Sequence, residues 1–332
     1  MGFDLRARRR VADFSERNFL FKQHFPPWKP TNPDAGHETA FRLFKYLSPM
    51  PDSADQPELM HFPERLRILL PWLRSFSRSD VRVPLRELID FLRRPRMAET
   101  ERTVVLSKKP AGEFIEVQLR GLDQPLFWPT HMDFMMLLTV LDEQYTGPRW
   151  HRYEVPETRV ESDDVVVDCG AAEGLFSLEV ASRCRKLFVF EPLPDFVKGL
   201  EETFRGNTNT EIVAAALGER TETARLAADG IASVCGPAGA LEIRMVAMDD
   251  FFRERTERVS YIKADVEGTE MALLRGAAGI IKAGKPKIAI TTYHHRRDAE
   301  DIQEYLRSLR PDYRMRLKGI TYDGNSTLLH AW

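Results

Sequence analysis

The sequence predicts a doubly wound α/β domain on a mostly parallel sheet, preceded by a mainly helical extension. Three observations carry that reading. From Val165 onward, short apolar strands alternate with amphipathic helical stretches, the pattern of a parallel sheet covered on both faces. The first of these strands runs into a small-residue turn, Gly170-Ala171-Ala172-Glu173-Gly174. The alternation ends in two apolar stretches, Tyr313 to Leu317 and Thr327 to Ala331, with an Asp323-Gly324-Asn325 turn before the second. That ending reads as a closing hairpin and not as a further strand-helix unit.

In chain order, residues 1–110 are expected to be an N-terminal helical and irregular extension. Residues 111–332 are the main domain, with a small lead-in over 111–160 and the core over 161–332. Seven prolines between Pro26 and Pro57 break up long elements there. Leu66, Leu69, Leu70 and Leu73, then Leu85, Leu88, Ile89 and Leu92, recur at helical spacing and predict two amphipathic helices. Apolar alternation at 103–106, 114–119 and 126–128, punctuated by Gly112, Gly121 and Pro125, predicts a small antiparallel element. A helix over 131–145 follows it. The core strands are expected at 165–169, 187–190, 211–216, 261–264 and 287–292, with helices at 175–182, 195–204, 270–274 and 298–309.

Composition narrows the function. With 48 Lys and Arg against 50 Asp and Glu, the chain shows no charge excess that calls for nucleic acid. Its longest apolar stretches, such as Met135 to Leu138, fall far short of the ~18 residues of a membrane span. The basic Arg6 to Arg10 cluster is followed by Asp13, Glu16 and Arg17, so no secretory signal is expected. Cys169, Cys184 and Cys235 are scattered and match neither a disulfide framework nor a zinc site, which predicts a cytoplasmic protein.

The strand Val165 to Cys169 and the turn after it are candidates for a cofactor site. Gly170 and Gly174 allow close backbone approach, and the helix that begins near Gly174 presents free N–H groups. Asp168, at the strand's carboxyl end, is placed to organise the turn and to receive an ammonium. Glu191 follows the next strand about twenty residues after the glycines, where an acid accepts two hydrogen bonds from ribose hydroxyls. These features specify adenosine and would also suit NAD. The turn, however, lacks the spaced G-x-G-x-x-G that cradles a pyrophosphate.

Several blocks share an order and spacing that resemble the FkbM family of methyltransferases over about residues 112–332. They are 168–174, Phe190-Glu191-Pro192, Ala215-Ala216-Leu217-Gly218, Met248-Asp249-Asp250, and Lys263-Ala264-Asp265-Val266-Glu267-Gly268 with Leu274-Arg275-Gly276-Ala277. The resemblance implies a class I methyltransferase fold, Rossmann-like and seven-stranded. It also implies S-adenosylmethionine as methyl donor and a hydroxyl of a sugar, polyketide or similar metabolite as acceptor. Cys169 and Glu173 depart from the family's more usual small or aliphatic residue and asparagine. By this match Asp168, Gly170, Ala171, Glu173, Gly174, Glu191 and Pro192 would bind the cofactor, and Ala215 and Leu217 would flank its adenine.

On the acceptor side, Asp265 and Glu267 lie just beyond the fourth strand, at the edge where such sheets bind ligands. His294 and His295 follow the fifth and should arrive beside them. Any of the four is a candidate proton acceptor for an alcohol. Glu270 is expected to charge the first turn of the following helix. Asp265 with His294 or His295 could also hold a divalent cation that lowers the acceptor's pKa, but hard cations prefer more oxygen ligands than this set shows, so metal-free catalysis is expected. Trp28, Trp128 and Trp150 could stack on a sugar ring but fit core packing as well. An NAD-dependent oxidoreductase and a non-catalytic binding module with the same fold are the alternatives to a methyltransferase acting on a small-molecule or glycan acceptor.

Overall fold

The computed structural model describes residues 69, 72–73, 83–92, 97–145, 150–227, 234–235, 241–321 and 325–332. Helices α1 (Leu85–Leu92) and α2 (Met97–Val104) lead into strands β1 (Val105–Ala111), β2 (Phe114–Leu119) and β3 (Leu126–Pro129), an antiparallel sheet in the order β1-β2-β3. Helix α2 therefore takes up Thr103 and Val104, where a strand is expected from the sequence. Trp128 is fully buried on β3, with its indole N–H donating to the Met132 carbonyl at 3.3 Å. Helix α3 (Phe134–Tyr145) starts three residues later than the apolar pattern suggests, because Asp133 accepts the Met135 N–H at 2.9 Å and caps it there. Of the first expected helix only residues 69, 72 and 73 are described, and they are helical. The proline-rich segment, with Trp28, lies outside the described residues.

The core follows as β4 (Val165–Cys169), α4 (Leu175–Val180), β5 (Lys186–Phe190), α5 (Pro194–Thr203) and β6 (Thr210–Val213). A second sheet comes next, from β7 (Ala216–Gly218), β8 (Glu222–Ala227), β9 (Val234–Cys235) and β10 (Leu241–Ala247), in the order β7-β10-β8-β9. The chain then runs through α6 (Met248–Phe252), β11 (Tyr261–Ala264), α7 (Glu270–Gly276), α8 (Ala278–Gly284), β12 (Lys287–Thr291), α9 (Asp298–Leu309), β13 (Met315–Ile320) and β14 (Ser326–Ala331).

The main sheet has seven strands in the order β13-β14-β12-β11-β4-β5-β6. Its five central and right-hand strands pair in parallel, and β14 runs antiparallel to both β12 and β13. This mixed α/β sheet, closed by the expected hairpin, is the one the sequence predicts. Successive side chains divide between two cores. Val166, Leu187, Val189 and Tyr261 join the core shared with α3, α4, α5 and β1–β3, whereas Val165, Val167, Phe188, Phe190 and Ile262 face α6–α9. Burial on both faces is the reason these strands read as unbroken apolar runs.

The expected strand over 211–216 divides in two. The Ala215 N–H donates to the Val213 carbonyl at 2.8 Å, a tight turn that ends β6. Ala216 to Gly218 then pair with Met245 to Ala247 of β10 in the second sheet. Strand order reverses at β4, whose neighbours are β11 on one side and β5 on the other. A crevice at the carboxyl ends of strands is expected at such a switch point.

Candidate active site

Two turns interlock at that switch point. After β4, the N–H groups of Gly170 and Ala171 both donate to the Phe190 carbonyl at 3.1 Å, which folds the turn back over β5. After β11, the Asp265 N–H donates to the Cys169 carbonyl at 3.1 Å. Gly170 holds φ +73°, and a Cβ there would lie 2.1 Å from the Asp265 carbonyl oxygen. Only glycine meets both demands. Behind the turn, the fully buried Asp168 accepts from the Ser177 hydroxyl at 2.7 Å and pairs with the Lys263 ammonium at 2.9 Å. Lys263 also donates to the Gly170 carbonyl at 2.7 Å. Asp168 thus organises the turn, and its carboxylate is already engaged in doing so.

The turns flank an open cleft with about 70 Å³ of free space. One wall carries Gly170, Ala172, Glu191 and Pro192; another carries Ala216, Leu217 and Leu226; Asp265, Glu267 and Thr269 form a third. Glu191 is 4% exposed and accepts the Ala172 and Leu193 N–H groups at 2.8 and 2.9 Å, one on each oxygen. Burial raises its pKa to about 7 despite those bonds and nearby Lys263. Of the other expected cofactor residues, Ala171, Glu173 and Gly174 belong to the same turn and Ala215 is fully buried next to Ala216. None of these four lines the cleft. Burial likewise raises the Glu173 carboxyl to about 7.

Of the residues expected on the acceptor side, the structure brings Asp265, Glu267 and His294 together. The Tyr153 hydroxyl donates to Asp265 Oδ2 at 2.7 Å, and His151 Nε2 stands 3.7 Å from the same oxygen. His151 Nδ1 lies 2.9 Å from Glu143 Oε2, and the Trp150 ring stacks on the imidazole. His294 Nε2 is 3.8 Å from Asp265 Oδ1 and 3.4 Å from Glu267 Oε2, and its Nδ1 is 2.8 Å from Glu270 Oε1. Burial would raise the Asp265 pKa, but His151, His294 and Lys263 outweigh it and bring it to about 2. Burial would lower the His294 pKa, yet Glu270 and Glu267 hold it well above the usual imidazole value. His295 is exposed and contacts the Gly268 carbonyl at 2.9 Å through Nε2, away from this group.

Glu270 departs from its expected role on the helix surface. Its side chain is 1% exposed, and Oε1 accepts the Val266 N–H at 3.2 Å and the Thr291 hydroxyl at 3.0 Å. Sequence reasoning also missed Glu143, His151 and Tyr153 entirely. Tyr153 meets Asp265 across 112 positions of sequence, and no periodicity signals such a contact.

The profile of the methyltransferase FkbM domain matches residues 168–315. No curated protein sequence matches the chain. Among solved structures, the chain is similar to methyltransferase FkbM from Methylobacillus flagellatus, at 25% identity and TM-score 0.43, covering 55% of this chain and 50% of that one. The chain thus spans half the length of that protein. It is also similar to an rRNA methylase from Streptococcus thermophilus, at 13% identity and TM-score 0.36, covering 53% and 87%. A third is the Aeropyrum pernix fibrillarin with natively bound S-adenosyl-L-methionine, at 12% identity and TM-score 0.34, covering 69% and 99%. Among the described residues no helix is long and apolar enough to cross a membrane.

Proposed function

We propose that this chain, which carries a methyltransferase FkbM domain at residues 168–315, uses S-adenosylmethionine to methylate a hydroxyl of a sugar, glycan or secondary metabolite. One observation carries the choice of cofactor. Among the described residues, the cleft is lined by three carboxylates, Glu191, Asp265 and Glu267, and by no Lys or Arg. A cation is welcome there, whereas the pyrophosphate of NAD would meet like charge with nothing to neutralise it. Gly170 lets the turn pack directly on the Asp265 backbone, which brings the two walls of the cleft together. When bound, the sulfonium supplies the methyl group and departs as a neutral thioether.

The chain's own residues would do the rest by position and charge. Glu191 keeps one free lone pair on each oxygen beyond its two backbone bonds, suited to a pair of ribose hydroxyls. Pro192, Leu217 and Leu226 offer an apolar wall for the adenine. Across the cleft, Asp265 and Glu267 receive the acceptor hydroxyl, and one of the two takes its proton as the new bond forms. Tyr153 fixes the Asp265 carboxylate so that its other oxygen is turned toward the cluster around His294. Cys169 and Cys184 are free and buried, which supports placing the chain in a reducing compartment such as the cytoplasm.

Cofactor affinity should depend on pH through Glu191. Lys263 and Asp168 face this carboxyl from β11 and β4, and burial sets its pKa at about 7. Ribose hydroxyls donate to the ionised form, so binding takes up the charged state and releases a proton. S-adenosylhomocysteine affinity measured by calorimetry should therefore be constant above pH 8 and weaken up to about tenfold per unit below 7. A flat profile between pH 5.5 and 8 would contradict the role given to Glu191.

The reaction itself is tested by S-adenosylhomocysteine release across a panel of hydroxylated acceptors. With an acceptor that turns over, Asp265→Asn should lower kcat on the order of a hundredfold. Unchanged turnover would remove Asp265 from the acceptor side. Release of hydride equivalents to NAD instead would favour the oxidoreductase reading.

A further inference from the structure

Asp265, Glu270 and His294 each bring one ligand-type atom to within 4.8 Å of the others. They reach this point from the end of β11, the start of α7 and the loop after β12. Their polar atoms do not satisfy one another. Neither ring nitrogen of His294 makes a hydrogen bond of acceptable geometry, although Glu270 Oε1 lies 2.8 Å from Nδ1. Asp265 Oδ1 and Glu270 Oε2 are also buried without a hydrogen-bond partner. A buried polar atom left without a partner is destabilising, more so if charged, and here four converge on one region. Three carboxylates, from Asp265, Glu267 and Glu270, face a single imidazole. The group stays anionic even with the ring protonated.

We infer that Asp265, Glu270 and His294 form a binding site for one divalent transition-metal ion of the Mn²⁺ or Zn²⁺ class. Atoms that bind one ion at about 2.0–2.2 Å stand roughly 3 to 4.3 Å apart, close to the 4.8 Å within which one atom from each of these residues lies, and the ion would take one ring nitrogen of His294. One imidazole with two carboxylates suits a borderline ion, whereas Mg²⁺ and Ca²⁺ take oxygen ligands. Three protein ligands leave positions open for an exogenous oxygen. Asp265 belongs both to this group and to the wall of the cleft. Resting on the methyltransferase reading, the ion would hold the acceptor hydroxyl and make it more acidic.

The test is titration of Mn²⁺ into chain stripped with EDTA and dialysed, read by the paramagnetic resonance of the free ion, with Zn²⁺ as competitor. One Mn²⁺ per chain is expected, with affinity at least about tenfold weaker in Glu270→Gln and in His294→Ala. Neither residue lines the cleft, so S-adenosylhomocysteine binding measured on the same samples should change less than about threefold. If the variants fail to fold, visible absorption of Co²⁺ added to the unmodified chain decides, with the intensified bands of a nitrogen-containing site expected. No binding of Mn²⁺ or Zn²⁺, binding unaltered in both folded variants, or a Co²⁺ spectrum identical to that of the aqueous ion overturns the inference. A chain that takes up S-adenosylhomocysteine but neither metal defeats only the ion site. One that takes up Mn²⁺ but not S-adenosylhomocysteine upholds the ion site and defeats the methyltransferase reading.

Discussion

Lys263→Met should lower the free energy of unfolding by about 3–5 kcal/mol, the loss expected when one partner of a buried ion pair is removed. The Lys263 and Asp168 side chains are 5% and 1% exposed and stand 2.9 Å apart. Lys263 also holds the Gly170 carbonyl and lies 4.9 Å from the centre of the Tyr153 ring. Burial would lower its pKa, but Asp168 and Asp265 reverse that and raise it, so the ammonium is charged across the working range. Without it, Asp168 keeps only the Ser177 hydroxyl, and a carboxylate is left buried with its charge unbalanced. Urea denaturation measures the loss. Adding Asp168→Asn to Lys263→Met should recover part of it, because the stranded charge is then gone. A loss under about 1 kcal/mol would mean that the pair does not hold the turn.

Gly170→Ala should abolish cofactor binding and cost about 2–5 kcal/mol of stability, from a positive φ forced on a residue with a Cβ and from a clash with backbone. The clash cannot be relieved by a side-chain rotation, since the atom 2.1 Å from the new Cβ is the Asp265 carbonyl oxygen. Either the turn after β4 or the turn after β11 must move. Those turns carry opposite walls of the cleft, so movement of either misplaces Ala172 and Glu191 relative to Asp265 and Glu267. Calorimetric titration with S-adenosylhomocysteine and a urea curve check the two halves of this expectation. An alanine variant that binds normally would show that the two turns are not packed as described.

Much of this was legible in the sequence, and the physical reasons differ from part to part. The parallel strands announced themselves because both faces are buried, as in Val165-Val166-Val167. The closing hairpin was legible from its apolar pair of stretches, although it begins at Met315 and not Tyr313. Residues 323 and 324 of its turn lie outside the described residues. The second sheet was not legible. Strand β8, Glu-Thr-Ala-Arg-Leu-Ala, has weak alternation, and its place depends on pairing with β10 across a long connection. Two motifs noted separately, Ala215 to Gly218 and Leu274 to Ala277, prove to be one contact. A Cβ on Gly276 would lie 2.0 Å from the Gly218 carbonyl oxygen, so α7 packs directly on β7.

The site divides along the same line. Gly170, Glu191 and Asp265 were legible because each sits at a strand's carboxyl end, a position that local pattern reveals. His294 could be separated from His295 only by the fold, which turns one inward to Glu270 and leaves the other on the surface. Glu270 was misread because an acid in a helix's first turn has a sufficient local reason to be there. Its burial against Thr291 and His294 comes from β12 and the loop beyond it. His151 and Tyr153 reach Asp265 from before the first core strand, at a separation that sequence pattern does not encode.

The most direct measurement is calorimetric titration of the chain and its Glu191→Ala variant with S-adenosylmethionine, S-adenosylhomocysteine and NAD. The account predicts one site for each sulfur compound, no detectable NAD binding, and affinity on the order of a hundredfold weaker in the variant, from two lost charge-assisted hydrogen bonds. Preference for NAD, or affinity for the sulfur compounds that does not depend on Glu191, would contradict it.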